Sequence, residues 1–232
     1  MKIKKGFLVF CATLFSVLTL QAQDNTSMLL RKVYNKLQMA KDYSVVAKIR
    51  VDIPFIRLVP VDVEIYYKQP DKFKVKSKSI TIVPRQGFDQ ASKMLADTSL
   101  FTVMYQGNER IGMTQTSIVN IIPLSDTSDL ILGKLWIDPK TCIILKSQLT
   151  TKSSGTILTE YTYGKMIAYG LPDKMVFSVD IKKFRLPKEV ITDMKESERK
   201  EDRLKKDDKG KIIIALRDYQ VNKGIPDSVF DK

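Results

Sequence analysis

The side chains that perform acid–base, nucleophilic or metal chemistry are sparse in this 232-residue chain, which holds no histidine and two cysteines. Without imidazole, histidine-based triads, the usual zinc sites and imidazole proton transfer near neutral pH are excluded together. An enzyme would have to work with carboxylates, Ser/Lys or tyrosine, and no spacing of these makes a catalytic motif. No catalytic residue, metal site or cofactor is therefore expected. The plentiful chemistry is of another kind. Lys and Arg number 39 against 26 Asp and Glu, a net charge of +13. Such a surface favours anionic partners such as membrane headgroups or acidic proteins, and plain solubility explains it equally well.

Some of that charge belongs to a leader. Met1-Lys2-Ile3-Lys4-Lys5 precedes an uncharged run from Gly6 to Leu20, the charged and apolar regions of a secretory signal peptide. The run is about 15 residues long, short of the roughly 20 that span hydrocarbon. Cleavage after Ala22 makes residues 1–22 the signal peptide and leaves an exported, soluble chain of net charge about +10. Cys11 stands behind Val9-Phe10 rather than behind small residues, so lipidation is not expected. Cys142 alone then remains and no intramolecular disulfide is possible. Export also makes nucleic acid a poor partner.

What remains, 23–232, is long enough for a single domain with a sizeable core. It opens with an amphipathic helix over 26–41: Asn25-Thr26-Ser27 offers capping oxygens, and Leu30, Val33, Tyr34 and Leu37 fall on one stripe. From there the period is two. Val45, Ala47, Ile49, Val51 and Ile53 alternate with Val46, Lys48, Arg50 and Asp52. Val61, Val63, Ile65 and Tyr67 alternate with polar neighbours, and after Gln69-Pro70-Asp71 so do Phe73 and Val75 with lysines. One apolar and one charged face is the mark of an antiparallel sheet wetted on one side. Further strands are expected near 79–83, 99–105, 110–114, 117–122, 130–137, 142–151, 156–163, 174–183 and 211–221. The turns lie at Gln106-Gly107-Asn108, Asp138-Pro139-Lys140, Lys152-Ser153-Ser154-Gly155 and Gly170-Leu171-Pro172-Asp173. Asp89–Ala96 reads as a short helix, and about 187–211 as a charged insertion. The fold class is mainly β with an α lid (α+β): an open, incomplete antiparallel barrel of about eleven strands wrapping the N-terminal helix.

Four stretches resemble the LolA/LolB family of bacterial lipoprotein carriers. They are the leader followed by the helix and Tyr43-Ser44; Val63 to Lys74 through Gln69-Pro70-Asp71-Lys72-Phe73; Leu135-Trp136-Ile137-Asp138-Pro139-Lys140-Thr141; and the hairpin 148–163 with Gly170-Leu171-Pro172-Asp173. The third is the most specific, since Trp is rare and its order with Asp-Pro is fixed. The resemblance implies a half-barrel lidded by helices, located in the periplasm, with an apolar cavity for acyl chains between sheet and lid. It implies a monomeric carrier that takes lipoprotein from a membrane-bound donor to an outer-membrane acceptor without catalysis. A lipid- or lipoprotein-sensing domain of the same fold is the alternative. The family's latch arginine, before the turn proline, corresponds here to Gln69, which cannot offer a charged fork of hydrogen bonds.

The candidate cavity residues are Val45, Ala47, Ile49, Val63, Ile65, Phe73, Val75, Phe101, Val103 and Trp136, under a lid face of Leu30, Val33, Tyr34 and Leu37. Apolar stripes also make ordinary filled cores, and the residues alone leave both readings open. Trp136 is either cavity wall or structural anchor. The lysines at 72, 74, 76 and 78 are either a solvated face or a docking stripe, and Cys142 is a small apolar filler.

Overall fold

The computed structural model describes residues 25–53, 56–57, 59–77, 98–153, 155–180 and 209–231. The expected leader, the strand expected at 79–83, the helix expected at Asp89–Ala96 and nearly all of the charged insertion expected at about 187–211 lie outside them. Among the described residues no helix is long and apolar enough to cross a membrane.

Among the described residues one α-helix, α1, covers residues 25–38. It stops short of Asp42, because Asp42 already belongs to the first strand. Eleven strands follow among the described residues: β1 (Asp42–Ile53), β2 (Ile56–Arg57), β3 (Val61–Lys68), β4 (Lys72–Ser77), β5 (Phe101–Ile111), β6 (Thr114–Pro123), β7 (Leu130–Asp138), β8 (Ile143–Thr151), β9 (Gly155–Thr162), β10 (Lys174–Asp180) and β11 (Lys209–Val221). They form one sheet in the order β4-β3-β1-β11-β10-β9-β8-β7-β6-β5, with β2 an appendage on β1. Every neighbouring pair is antiparallel, from the β5–β6 hairpin across to β3–β4. Strands β4 and β5 stand at opposite ends of this order, so the sheet is an open half-barrel with a helix.

The period-two pattern does what the pleat requires. Val45, Ala47 and Ile49 are buried while Lys48 and Arg50 between them are exposed, and Val63 and Ile65 are buried beside exposed Asp62 and Glu64. Register locks these rows together: Ala47 faces Leu216 on one side and Val63 on the other. A slip of one residue would send every apolar side chain to the solvent face.

Two expected boundaries move. Gln106-Gly107-Asn108 is a bulge inside a single strand rather than a turn, with the register against β6 shifting between Tyr105 and Gly107. Gly107 has φ +120°, which only glycine adopts readily, and glycine in a strand marks a bulge as readily as a turn. The expected strands 99–105 and 110–114 are therefore one strand, and the chain reverses at Gly112, φ +58°. The last strand starts at Lys209, so the end of the charged segment is ladder.

Candidate functional site

The buried face of the sheet divides into two apolar clusters. The first contains Val103, Val119, Ile121, Leu130, Leu135, Ile137, Ile144 and Leu149 from β5–β8, together with Leu30 and Val33 of α1. Tyr34, Leu37, Phe101 and Cys142 pack on its margin. The second holds Val45, Ala47, Ile49, Val63, Ile65, Met175, Phe177, Ile212, Ile214 and Leu216 from β1, β3, β10 and β11, with Phe73 and Val75 at its edge. No residue of α1 belongs to it. The structure thus places Leu30, Val33, Tyr34, Leu37, Phe101 and Val103 in one group and Val45, Ala47, Ile49, Val63, Ile65, Phe73 and Val75 in another. Tyr161 of β9 packs against both.

Trp136 joins neither, and the cavity-wall reading for it is corrected. Its neighbours Leu135 and Ile137 point into the first cluster, so the pleat turns the indole to the opposite face. There it is only 3% exposed. The ammonium groups of Lys134 and Lys146 lie 4.9 and 4.5 Å from its ring, and their stems screen it from water. Its indole N–H donates to Glu109 Oε2 at 2.8 Å. This is the anchor of an outer face.

The inward positions given by the register are apolar or neutral on the described residues of every strand except β5, where Arg110, paired with Gln115, is charged and exposed at the strand's end. The buried polar groups there, Ser147, Thr151 and Thr159, are hydroxyls. Burial pushes the Tyr161 phenol up, against hydrogen bonds from Ser147 and Thr159 that act the other way. Burial likewise pushes up Tyr163 and Tyr219, on the flanks of the wall. All three stay neutral phenols at physiological pH.

The C-terminal end of α1 is held by side chains rather than by apolar packing alone. The Gln69 amide donates to the carbonyls of Gln38 at 3.0 Å and Ala40 at 3.2 Å, and its backbone N–H donates to Lys41 at 2.9 Å. Asn222, at the exit of β11, donates to the Met39 carbonyl at 2.9 Å and accepts the Lys41 N–H at 2.7 Å. Asn222 has φ +56°, a left-handed conformation that asparagine tolerates. Lys36 reaches the Thr141 carbonyl in the β7–β8 turn at 2.6 Å. Gln69 and Asn222 satisfy carbonyls that a helix end leaves without intrahelical partners, and Lys36 ties the helix to the turn. Gln69 therefore does touch the helix end, as a neutral two-pronged clamp. Beneath it, Asp42 is 8% exposed and accepts the N–H groups of Lys223 and Gly224 at 3.0 and 3.1 Å.

The turn Asp138-Pro139-Lys140-Thr141 closes on itself: Asp138 accepts the Lys140 N–H at 2.9 Å and the Thr141 hydroxyl at 2.6 Å. Cys142 follows at φ +53°, so β8 begins one residue later than expected. Opposite, Gly170 passes so close to α1 that a Cβ there would sit 3.1 Å from Leu37 Cδ2. The lysine ladder is largely occupied by the C-terminal segment. Asp227 pairs with Lys68 at 2.6 Å and Lys72 at 3.1 Å, Lys74 donates to the Asp231 carbonyl, and Lys76 lies over the Tyr66 ring. Lys78 lies outside the described residues.

At the other end of α1 lies a cleft of about 240 Å³, lined by Asn25, Thr26 and Leu29 of the helix and Tyr105, Ser117 and Val119 of β5 and β6. It opens beside the first apolar cluster, to which Val119 belongs. Sequence reading did not find Asn222, Asp42, Ser147, Thr159 or Tyr161. The hydroxyls were visible only as polar members of otherwise ordinary strands, and the clamp joins residues more than 180 positions apart.

No protein-family model matches this sequence, and no curated protein matches it. Solved structures do. A DUF1329 family protein from Desulfovibrio piger aligns with TM-score 0.56 and 10% identity, over 90% of this chain and 97% of that one. A domain assigned to outer membrane lipoprotein sorting, from Vibrio parahaemolyticus, gives 0.55 and 9% identity over 90% and 97%. A LolA superfamily protein from Nitrosomonas europaea gives 0.52 and 12% identity over 87% and 96%. The chain has a LolA-like fold.

Proposed function

We propose that this protein binds the acyl chains of a lipoprotein, or of another lipid, between α1 and the inner face of the sheet. It carries them through the periplasm toward the outer membrane without a chemical step. The observation that carries the reading is the neutral, apolar inner wall spanning both clusters, with a cleft beside it at the helix N-terminus. The solved structures with the same fold include a domain assigned to lipoprotein sorting, and this supports the reading by analogy.

Each methylene moved from water into such a wall contributes about 0.8 kcal/mol. A chain of some sixteen carbons therefore needs most of its length covered. The cleft of about 240 Å³ lies below the roughly 300–1,000 Å³ of ordinary ligand pockets. It admits one end of a chain, and the rest follows as α1 shifts on the wall. Such a shift lifts Leu30 and Val33 off the first cluster, and the acyl chain then covers the wall in their place.

The test uses Val75→Gln. Val75 faces inward at the edge of the second cluster and is half-buried, so a longer side chain has room and the amide can reach water. Fluorescence titration with a pyrene-labelled fatty acid or lipopeptide should show at least fivefold weaker binding, with the melting temperature nearly unchanged. Saturable binding that the substitution does not alter, or none in the unmodified protein, would refute the placement of the ligand.

A further inference from the structure

At the seam between the two apolar clusters the inner wall carries three hydroxyls. Ser147 of β8 and Thr159 of β9 face each other directly across the ladder, and Tyr161 stands two residues along on the same face. Ser147 Oγ and Tyr161 OH are 3.0 Å apart, and either can be the donor. Ser147 and Thr159 are 2% and 3% exposed. On the far side β9 pairs with β10, setting Thr159 against Phe177 and Tyr161 against Met175, both members of the second cluster. On the near side Leu149 and Ile144 belong to the first. A polar patch at the middle of an apolar wall is costly unless its groups are paired, and these pair with one another.

We infer that this hydroxyl patch is the site that receives the neutral carbonyls of an acylated glyceryl or amide head, and fixes where the acyl chains begin. The inference rests on the acyl-binding reading above. Its chemistry follows from what hydroxyls can do and what the wall lacks. A hydroxyl donates and accepts, so the three satisfy each other while the site is empty. When an ester or amide carbonyl arrives, one O–H turns from its neighbour to the ligand, and no buried group is orphaned in either state. A lysine in the same place would be unpaired when empty. A free carboxylate would meet no cation across the ladder here, since Ser147, Thr159 and Tyr161 are paired with Leu135, Phe177 and Met175, and a buried unpaired charge is strongly disfavoured. The patch therefore selects esters and amides over ionised fatty acids. Lying between two apolar clusters, it suits a head group whose chains run to both sides.

The experiment measures the affinity of the purified protein for four fluorescent probes: a pyrene-labelled diacylglycerol, a diacylated lipopeptide, a pyrene fatty acid, and an alkylpyrene with no carbonyl. The unmodified protein should bind both ester probes more tightly than the fatty acid at pH 7. Tyr161→Phe should weaken the ester probes about fivefold, the effect of one net hydrogen bond, and leave alkylpyrene within twofold. Ser147→Ala should show the same selective loss, and it carries the test if Tyr161→Phe lowers the folded fraction. A loss confined to one ester probe supports the site and identifies which source of the carbonyl it serves. Equal losses for ester probes and alkylpyrene, or no loss at all, would show that the hydroxyls serve packing only and would overturn the inference. In that case alkylpyrene binding by the unmodified protein leaves acyl binding itself standing. An unmodified protein that binds no probe overturns both.

Discussion

Leu30→Ala should lower the stability of the protein by about 2–5 kcal/mol, the usual range for emptying a buried leucine site. Leu30 is 1% exposed and joins Val33 in a cluster with Val103, Val119, Ile121, Leu135 and Ile137. A helix of this length is marginal in water on its own, so α1 owes its order to that contact. The loss should be local before it is global. Amide exchange over residues 28–38 should accelerate well before exchange in β9, β10 and β11 changes. Denaturant unfolding with peptide-resolved hydrogen exchange measures both. Met28, 53% exposed on the same helix, is the control, and Met28→Ala should change stability by less than about 0.5 kcal/mol. If Leu30→Ala is as mild as Met28→Ala, the helix does not depend on its seat on the sheet.

The second large effect is expected at Asp42. Its carboxylate is nearly buried and accepts the Lys223 and Gly224 N–H groups, while its own carbonyl accepts the Asn222 N–H at 2.8 Å. Hydrogen bonds to a charged group contribute about 1.5–3 kcal/mol, and removing the acceptor strands its donors. Asp42→Ala should therefore cost about 3 kcal/mol. Asp42→Asn keeps one carbonyl oxygen in place and should recover roughly half of that by the same reasoning. Gln69→Ala, which removes two neutral hydrogen bonds to the helix end, should cost only about 1 kcal/mol. Chemical denaturation gives the ranking. A larger effect at Gln69 than at Asp42 would mean that the helix clamp, rather than the β1–β11 junction, carries this end of the molecule.

The period of the apolar residues already contains the open antiparallel sheet, because in β1, β3 and β4 each strand announces which face it buries. It does not contain what lies over that face. Ile49 and Val103 read alike in sequence, yet the sheet order carries Val103 under α1 and Ile49 into a cluster with no α1 residue. The choice between cavity wall and anchor for Trp136 stayed open in the sequence for a related reason. Leu135, Trp136 and Ile137 are all apolar, so alternation cannot say which points inward, and the two lysines that screen the indole sit two residues back on β7 and across the ladder on β8. Gly107 signals broken regularity without distinguishing a bulge from a turn. Gln69 was legible as a neutral residue at the latch position. Its grip on the helix end was not, since the Gln38 and Ala40 carbonyls that it holds lie 31 and 29 positions away in the chain.

The central claim, that an acyl chain lies between α1 and the neutral wall, is tested most directly by photolabelling. A fatty acyl ester with a diazirine at the middle of its chain is bound to the purified protein and irradiated, and the adducts are mapped by peptide mass spectrometry. Labels should fall on inward residues of the wall and helix, such as Leu30, Val33, Val103, Val119, Tyr161 and Phe177, and excess unlabelled ester should suppress them. Adducts concentrated instead on the outer face around Trp136, Lys134 and Lys146, or scattered and insensitive to competitor, would contradict the account.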